Sequence, residues 1–372
     1  MKRILFVIAV LLPIANLFAQ TKNIDVDGVK FRYSYRCVPA KPLDPPIFNW
    51  WGKATVNSSI RNIDSEELAE KIIVRGQQKA EAEADAKMIV TVRANNVIVE
   101  DRRVNTVTNT SKDKDGKETK TYSYYVSATY SMEGSYVIKF NNEELVQENC
   151  NPKGNWSTSS YSSYDAAAKY WNDNKEGIIA GWQRELSLKI AEYASNKASL
   201  EYGFPTFTEN EEIKTMDEKK HDENITMRAN VETLKRALSA ADGNNPVNPD
   251  SIAPLIEYFK SIPAKYADPK LKADDKLRYI ANYNLCVIYF TLDQPEMITE
   301  YATAISAGDN GRKDGEKLLK EAEKRKAYLD RTGLKTRHFL PANYPALIKG
   351  EAVTTTGHID TTDIPEETTE EP

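Results

Sequence analysis

From residue 29 to 36 the chain alternates, with Val29, Phe31, Tyr33 and Tyr35 on one side and Lys30, Arg32, Ser34 and Arg36 on the other. A period of two sends successive side chains to opposite faces, so the run predicts a strand with one buried face. Four prolines between 39 and 46 then require an extended loop. Ile47-Phe48-Asn49-Trp50-Trp51 is an apolar stretch that starts a strand or plugs a core. Asp64 or Ser65 is a candidate N-cap, with Glu66 and Glu67 in a first turn where the helix dipole favours acids. Leu68, Ala69, Ile72, Ile73 and Gln77 carry that helix to about residue 84. Residues 88–92 form a buried-strand run, and Val97, Ile98, Val99 and Val104 extend a second stretch of strand. The polar segment 109–120 holds Asp115-Gly116 and predicts a long hairpin turn. Alternation resumes over 122–131, Glu133-Gly134 is expected to turn, and 135–140 to return as a strand. Asn141-Asn142 turns again before Leu145-Val146. The prediction is an α+β domain, an antiparallel sheet with packed helices.

Residues 151–164 are rich in Ser, Asn and Gly and predict a loop. From 165 to about 202 the period becomes helical. Trp171, Ile178, Trp182, Leu186, Ile190 and Ala194 share one broad apolar face, with a break expected near Asp173-Asn174 and a stop at Gly203 and Pro205. Charge dominates 209–223, which predicts a linker. Amphipathic helices then follow over 227–241, 252–262, 277–291, 296–307 and 313–332. The expected organisation is an α+β domain over 20–208, the charged linker 209–223, an all-α helical domain over 224–348, and a disordered acidic Thr/Glu-rich tail over 349–372.

The first nineteen residues stand apart. Lys2 and Arg3 precede an apolar run from 4 to 18, interrupted only by Pro13 and Asn16, and Ala19 is the expected cleavage point. That is the layout of a secretory signal peptide, and the run is shorter than the roughly 20 residues a membrane span needs. Gln20 rather than Cys follows the cut, which argues against a lipid anchor. The Phe18-Ala19-Gln20 ending resembles signal peptides common in the Bacteroidetes, which implies a soluble protein of the periplasm or the extracellular space. Loss of Lys2 and Arg3 takes the formal charge from -5 to -7. A mild acidic excess argues against nucleic acid or an anionic membrane as the main partner. At 372 residues the chain exceeds what one core usually holds.

Export brings the three cysteines into an oxidising compartment. Cys37 and Cys150 flank the first domain and are a candidate disulfide, whereas Cys286 sits on an apolar helix face and reads as a small buried hydrophobe.

The segment 281–290, Ala-Asn-Tyr-Asn-Leu-Cys-Val-Ile-Tyr-Phe, resembles the first helix of a tetratricopeptide repeat, and 296–305 resembles the second. Ala281 supplies one small residue where paired helices cross. Ile288 and Ile298 stand where that family prefers Ala, Cys286 takes the place of its Gly, and Asp293 that of its turn Gly. The resemblance covers about one repeat, and the helices of 224–266 have the lengths of a preceding pair. It implies a TPR-like stack with a concave surface for a protein or peptide partner, on which Tyr283 and Tyr301 are candidate contacts. The N-terminal half, through the run Glu83-Ala84-Asp85-Ala86-Lys87-Met88-Ile89-Val90, is similar to small α+β domains of uncharacterised bacterial envelope proteins, a likeness that implies no enzymatic activity.

Tyr122, Tyr124, Tyr130 and Trp156 are candidate members of an aromatic platform for glycans or peptides, set against the alternative that they pack the sheet. No HExxH, G-x-S-x-G or P-loop occurs, and His221, His338 and His358 stand apart in sequence. Ser111 to Gly116 mimics part of a calcium loop, but Tyr122 occupies the position that wants an acid. No catalytic, cofactor or metal site is therefore expected. The expectation is an exported, non-enzymatic protein working by protein contact. The alternative is a glycan-binding protein or hydrolase with its site on the Tyr/Trp-rich domain.

Overall fold

The alternation at 29–36 is realised as β1 (Val26–Arg36), with Phe31 and Tyr33 buried and Lys30 and Arg32 exposed. The structure, a computed structural model, describes residues 24–43 and 49–349. The expected leader, the start of the apolar stretch at 47–48 and the tail from 350 lie outside the described residues. β1 does not join the main sheet. It pairs instead with β8 (Thr206–Met216), so the charged run expected as a linker from 209 begins as a strand. Its polar residues serve the pairing. The Tyr35 hydroxyl donates to Glu209 at 2.5 Å, and Arg32 Nε donates to Asn210 at 3.3 Å.

The second sheet holds β2 (Asn49–Val56), β3 (Gln78–Lys79), β4 (Met88–Lys112), β5 (Glu118–Phe140), β6 (Glu143–Cys150) and β7 (Lys153–Ser157). Its order is β3-β2-β4-β5-β6, with β7 on β5. This corrects the expected antiparallel sheet: β2 runs parallel to both β3 and β4, so the six-stranded sheet is mixed. A parallel pair needs a crossover, and residues 57–87 supply it. The helix predicted there to about 84 is only α1 (Ser65–Glu70), capped by Asp64 accepting the Glu67 N–H at 2.8 Å. Beyond it Ile72 and Val74 are buried while Ile73 is 56% exposed, which is period two rather than helical. Gly76, at φ +75 and with Phe204 O where a Cβ would stand, completes the break.

The expected turn at Glu133-Gly134 is absent, because β5 runs through it. Gly134 serves close packing instead: a Cβ there would lie 2.3 Å from Ile190. Asn141 and Asn142, at φ 47 and 69, do form the two-residue turn into β6. The predicted break near Asp173 is also absent, since α2 (Tyr164–Tyr202) is one 39-residue helix. Residues 172–177 are exposed on it, and Lys169–Asp173 (2.7 Å) and Asn174 to Tyr170 O (2.7 Å) keep that polar stretch helical. Its buried face, Trp182, Leu186, Ile190 and Ala194, covers the sheet over Val90, Val92, Met132 and Ile138.

The remaining helices are α3 (Asn224–Ser239), α4 (Pro249–Lys265), α5 (Lys272–Thr291), α6 (Pro295–Ala307), α7 (Arg312–Thr332) and α8 (Tyr344–Lys349). The chain nevertheless does not divide into an α+β half followed by an all-α TPR-like domain. One unit takes Gly28–Thr215 and Ile225–Ala253, so the residues of α3 after Asn224 go with the sheets. The other takes the described parts of Met1–Asp27 and Pro254–Pro372 together with Met216–Asn224. In that smaller unit α5, α6 and α7 pack on one another around Leu285, Ile288, Ile298 and Ala302.

Candidate functional site

In the smaller unit a cleft of about 650 Å³ opens beside α5 and α6. Arg278, Asn282 and Leu285 follow one another at i, i+4 and i+7, so they form one stripe of α5 facing it. Glu300, Tyr301, Ala304 and Ile305 line it from α6, and Lys260 and Pro263 add the C-terminal half of α4.

Most polar groups in the floor are occupied. Arg278 Nη1 donates to the Tyr266 and Asp268 carbonyls at 2.8 and 3.3 Å, and Nη2 to Asp275 at 3.3 Å. Asp275 accepts the Asn310 N–H at 3.1 Å, and also the Asn310 side-chain amide. This ties down the loop between α6 and α7. Gly311 in that loop has φ +77, and a Cβ there would sit 2.1 Å from the Tyr279 ring, whose hydroxyl donates to Asp314 at 2.6 Å.

Two groups in the cleft differ. Asn282 is only 8% exposed, yet its amide has no protein hydrogen-bond partner among the described residues. Its polar atoms are not cut off from solvent, so a ligand offering a donor and an acceptor can take the place of water there. Tyr301 stacks on Tyr289 at 5.7 Å and 2°. Burial, then the Glu300 charge, pushes its hydroxyl up to about 12, so it remains a neutral donor.

Buried carboxylates anchor the helices on two sides. Glu223, 3% exposed, accepts from Tyr258 (2.7 Å), Tyr266 (2.8 Å) and Lys265 (2.5 Å), which fixes the last turns of α4. Its desolvation works to raise the pKa, but Lys265 and the two tyrosines outweigh that and hold it below the usual range. His221, at the edge of the same cluster, lies 5.7 Å from the Tyr266 ring. At the α5–α6 turn Asp293 is buried at φ 55. Its Oδ1 accepts from Arg325 Nη1 and from Arg337 Nε (2.8 Å), and its Oδ2 from the Arg337 N–H (2.7 Å). Burial favours protonation of Asp293, but Arg337 and Arg325 overcome it and depress its pKa. Both guanidinium groups also lie over the Phe290 ring, at 4.0 and 5.7 Å.

The structure separates the residues singled out from sequence. Tyr301 lines the cleft; Tyr283 instead lies beside Tyr279 at 5.8 Å. Tyr130 stacks on Trp182 at 4.1 Å and donates to Glu185 at 2.6 Å, while Trp156 packs 5.7 Å from both Trp171 and Trp182. Tyr124 meets Tyr164 edge-on, and Tyr122 is exposed. Tyr130 is buried in the core, Tyr124 and Trp156 are partly buried against it, and of the four only Tyr122 stands exposed. A polar hollow of about 420 Å³ lies on the sheet among Asp101, Tyr125, Ser127, Thr129 and Asn155, with Trp156 the one residue it shares with the expected set. Cys37 and Cys150 are not joined by a disulfide. Cys286 is fully buried, and its thiol is pushed up to about 12 by that burial. Sequence reasoning passed over Asn282 and Arg278. They stand at i and i+4 on α5, flanking the apolar run Tyr279-Ile280-Ala281.

Among the described residues no group of three or more His, Cys, Asp and Glu is placed to hold a metal ion. Among them, too, no helix is long and apolar enough to cross a membrane. No protein-family model matches the chain, and no curated protein matches it in sequence.

Proposed function

We propose that the chain acts by holding an extended peptide segment of a partner protein in the cleft of α4, α5 and α6. The observation that carries this reading is the Asn282 amide, unpaired on a wall already braced by Arg278 and Asp275. A peptide group supplies one donor and one acceptor, which is what that amide lacks. Leu285 and Ile305 provide an apolar floor, and Lys260 and Glu300 offer opposite charges to side chains of the segment. The likeness of α5 and α6 to a tetratricopeptide hairpin is consistent with this use. No catalytic constellation is required, and the reading is of a non-enzymatic protein. We further propose that it works outside the inner membrane after loss of residues 1–19.

Two measurements test these statements. Selection of a displayed peptide library on the purified chain should return extended segments whose binding weakens about ten-fold in Asn282→Ala. Selected peptides that bind Asn282→Ala and Ala304→Arg as well as the parent would place recognition elsewhere. N-terminal sequencing of protein recovered from the envelope should begin at Gln20. An intact Met1 would refute export by cleavage.

A further inference from the structure

β4 and β5 continue well past the strands that flank them. From Asn105↔Tyr125 to Lys112↔Glu118 they form a ribbon of eight rungs in which β4 pairs with β5 alone, about 25 Å long. Its side chains are largely open to solvent, with Tyr122 54% and Val107 36% exposed. β5 gains one further bridge, Tyr124 to Tyr161. The outer edge of β4 beyond Val97 pairs with no strand among the described residues. A two-stranded ribbon is marginal in water, and a bare edge displays a row of N–H and C=O groups ready for another strand.

Natural edges are protected by bulges, charges and proline. β4 has such devices near its middle: register shifts at Ala94/Val97 and Val99/Asp101, followed by Asp101, Arg102 and Arg103. Beyond Arg103 they stop. Val104-Asn105-Thr106-Val107-Thr108-Asn109-Thr110-Ser111 has no charge, proline, glycine or bulge. Its central five residues, Asn105-Thr106-Val107-Thr108-Asn109, read the same in both directions.

We propose that a second copy of this chain docks on this edge, β4 against β4, antiparallel about a two-fold axis at Val107. Antiparallel neighbours across such an axis have residue numbers that sum to a constant, here twice 107. Thr106 of each copy then faces Thr108 of the other, Asn105 faces Asn109, and Val107 faces Val107. Directly opposed residues in an antiparallel pair share a face of the sheet, and this register meets that condition at every rung. Thr–Thr pairs and matched Asn side chains are favourable cross-strand neighbours. Within each copy Thr106 lies opposite Tyr124 and Thr108 opposite Tyr122. The joined sheet therefore carries a row Tyr-Thr-Thr-Tyr on one face. Four strands replace two marginal ribbons, and each copy presents the same patch, as an isologous dimer requires.

Sedimentation equilibrium of the full chain tests the proposal, with three variants at these exposed positions. The parent chain is expected to dimerise reversibly. Thr106→Lys with Thr108→Lys sets lysine against lysine twice and should raise the dimer dissociation constant about ten-fold or more. Thr106→Glu with Thr108→Lys makes the same two positions complementary and should restore the dimer. Val107→Cys should cross-link under mild oxidation into a dimer that the parent chain does not form. A parent chain that stays monomeric, or a dimer indifferent to the paired lysines, would overturn the proposal. So would a Val107→Cys chain that dimerises without cross-linking.

Discussion

The cleft beside α5 and α6 and the ribbon of β4 and β5 are both open to solvent, but they are built in opposite ways. The cleft is a side-chain construction. Arg278, Asp275 and Asn310 hold one another, Glu223 and Asp293 lock the helices behind them, and one amide is left over. The ribbon is a backbone construction, a ladder of rungs whose side chains touch little. A surface of the first kind selects by the placement of a few polar atoms. A surface of the second kind selects by register and symmetry. Mutations should therefore act locally and strongly behind the cleft, and weakly on the ribbon unless a second strand is present.

The largest expected effect breaks the bracing of the cleft. Asp293→Ala would leave Arg325 and Arg337 buried without their counter-ion and should cost about 3–5 kcal/mol. All five tryptophans lie in the larger unit. Far-UV circular dichroism of the helices should therefore move to lower urea while tryptophan fluorescence stays in place. A shift in both signals would mean that the two units unfold as one. Acid should probe the same group. Its pKa is lowered in the folded chain, so the unfolded chain takes up the proton first. The contribution is full above the unfolded value of about 3.9 and fades as pH falls from there through the folded value. Asp293→Asn should flatten that part of the acid unfolding curve.

Gly134→Val is the converse test in the sheet. The new side chain would collide with Ile190 and should destabilise by about 1–3 kcal/mol, this time with the tryptophan signal leading. Ala304→Arg fills the cleft from its exposed wall. Peptide affinity should drop about ten-fold or more while the urea midpoint hardly changes, as titration calorimetry and unfolding on the same sample would show. The smallest effect belongs to the ribbon. In dilute solution Thr106→Lys with Thr108→Lys should alter stability by no more than about 0.5 kcal/mol. A larger loss would show that the exposed rungs are coupled to the sheet below them.

Periodicity made much of this visible and missed what depended on distant partners. The strand at 29–36, the Asp64 cap, the Asn141-Asn142 turn and the helices from Asn224 onward follow from local patterns. The parallel course of β2 does not, because nothing in Trp50 or Trp51 encodes which neighbour it takes. Glu133-Gly134 reads as a turn only until Ile190 is brought against it from 56 residues downstream in sequence. Tyr130 and Trp156 read as a platform because an aromatic on a strand looks alike whether it meets solvent or Trp182. For the cleft the helices were legible and Tyr301 was singled out. The unpaired state of Asn282 was not, since it depends on how Arg278 and Asp275 are spent around it.

The tip of the ribbon has one more consequence. Asp113 Oδ1 accepts the N–H groups of Asp115 and Lys117 at 3.0 and 2.9 Å, Gly116 supplies the left-handed residue, and residues 113–117 are all exposed. Nothing beneath this turn depends on its peptide bonds, since the rungs from Lys112↔Glu118 inward hold β4 and β5 together. A protease attracted by Lys112, Lys114 and Lys117 would nick the chain here and leave two fragments that stay associated. The same turn is a natural point at which to open the chain for circular permutation, or to splice in a reporter domain without disturbing either unit.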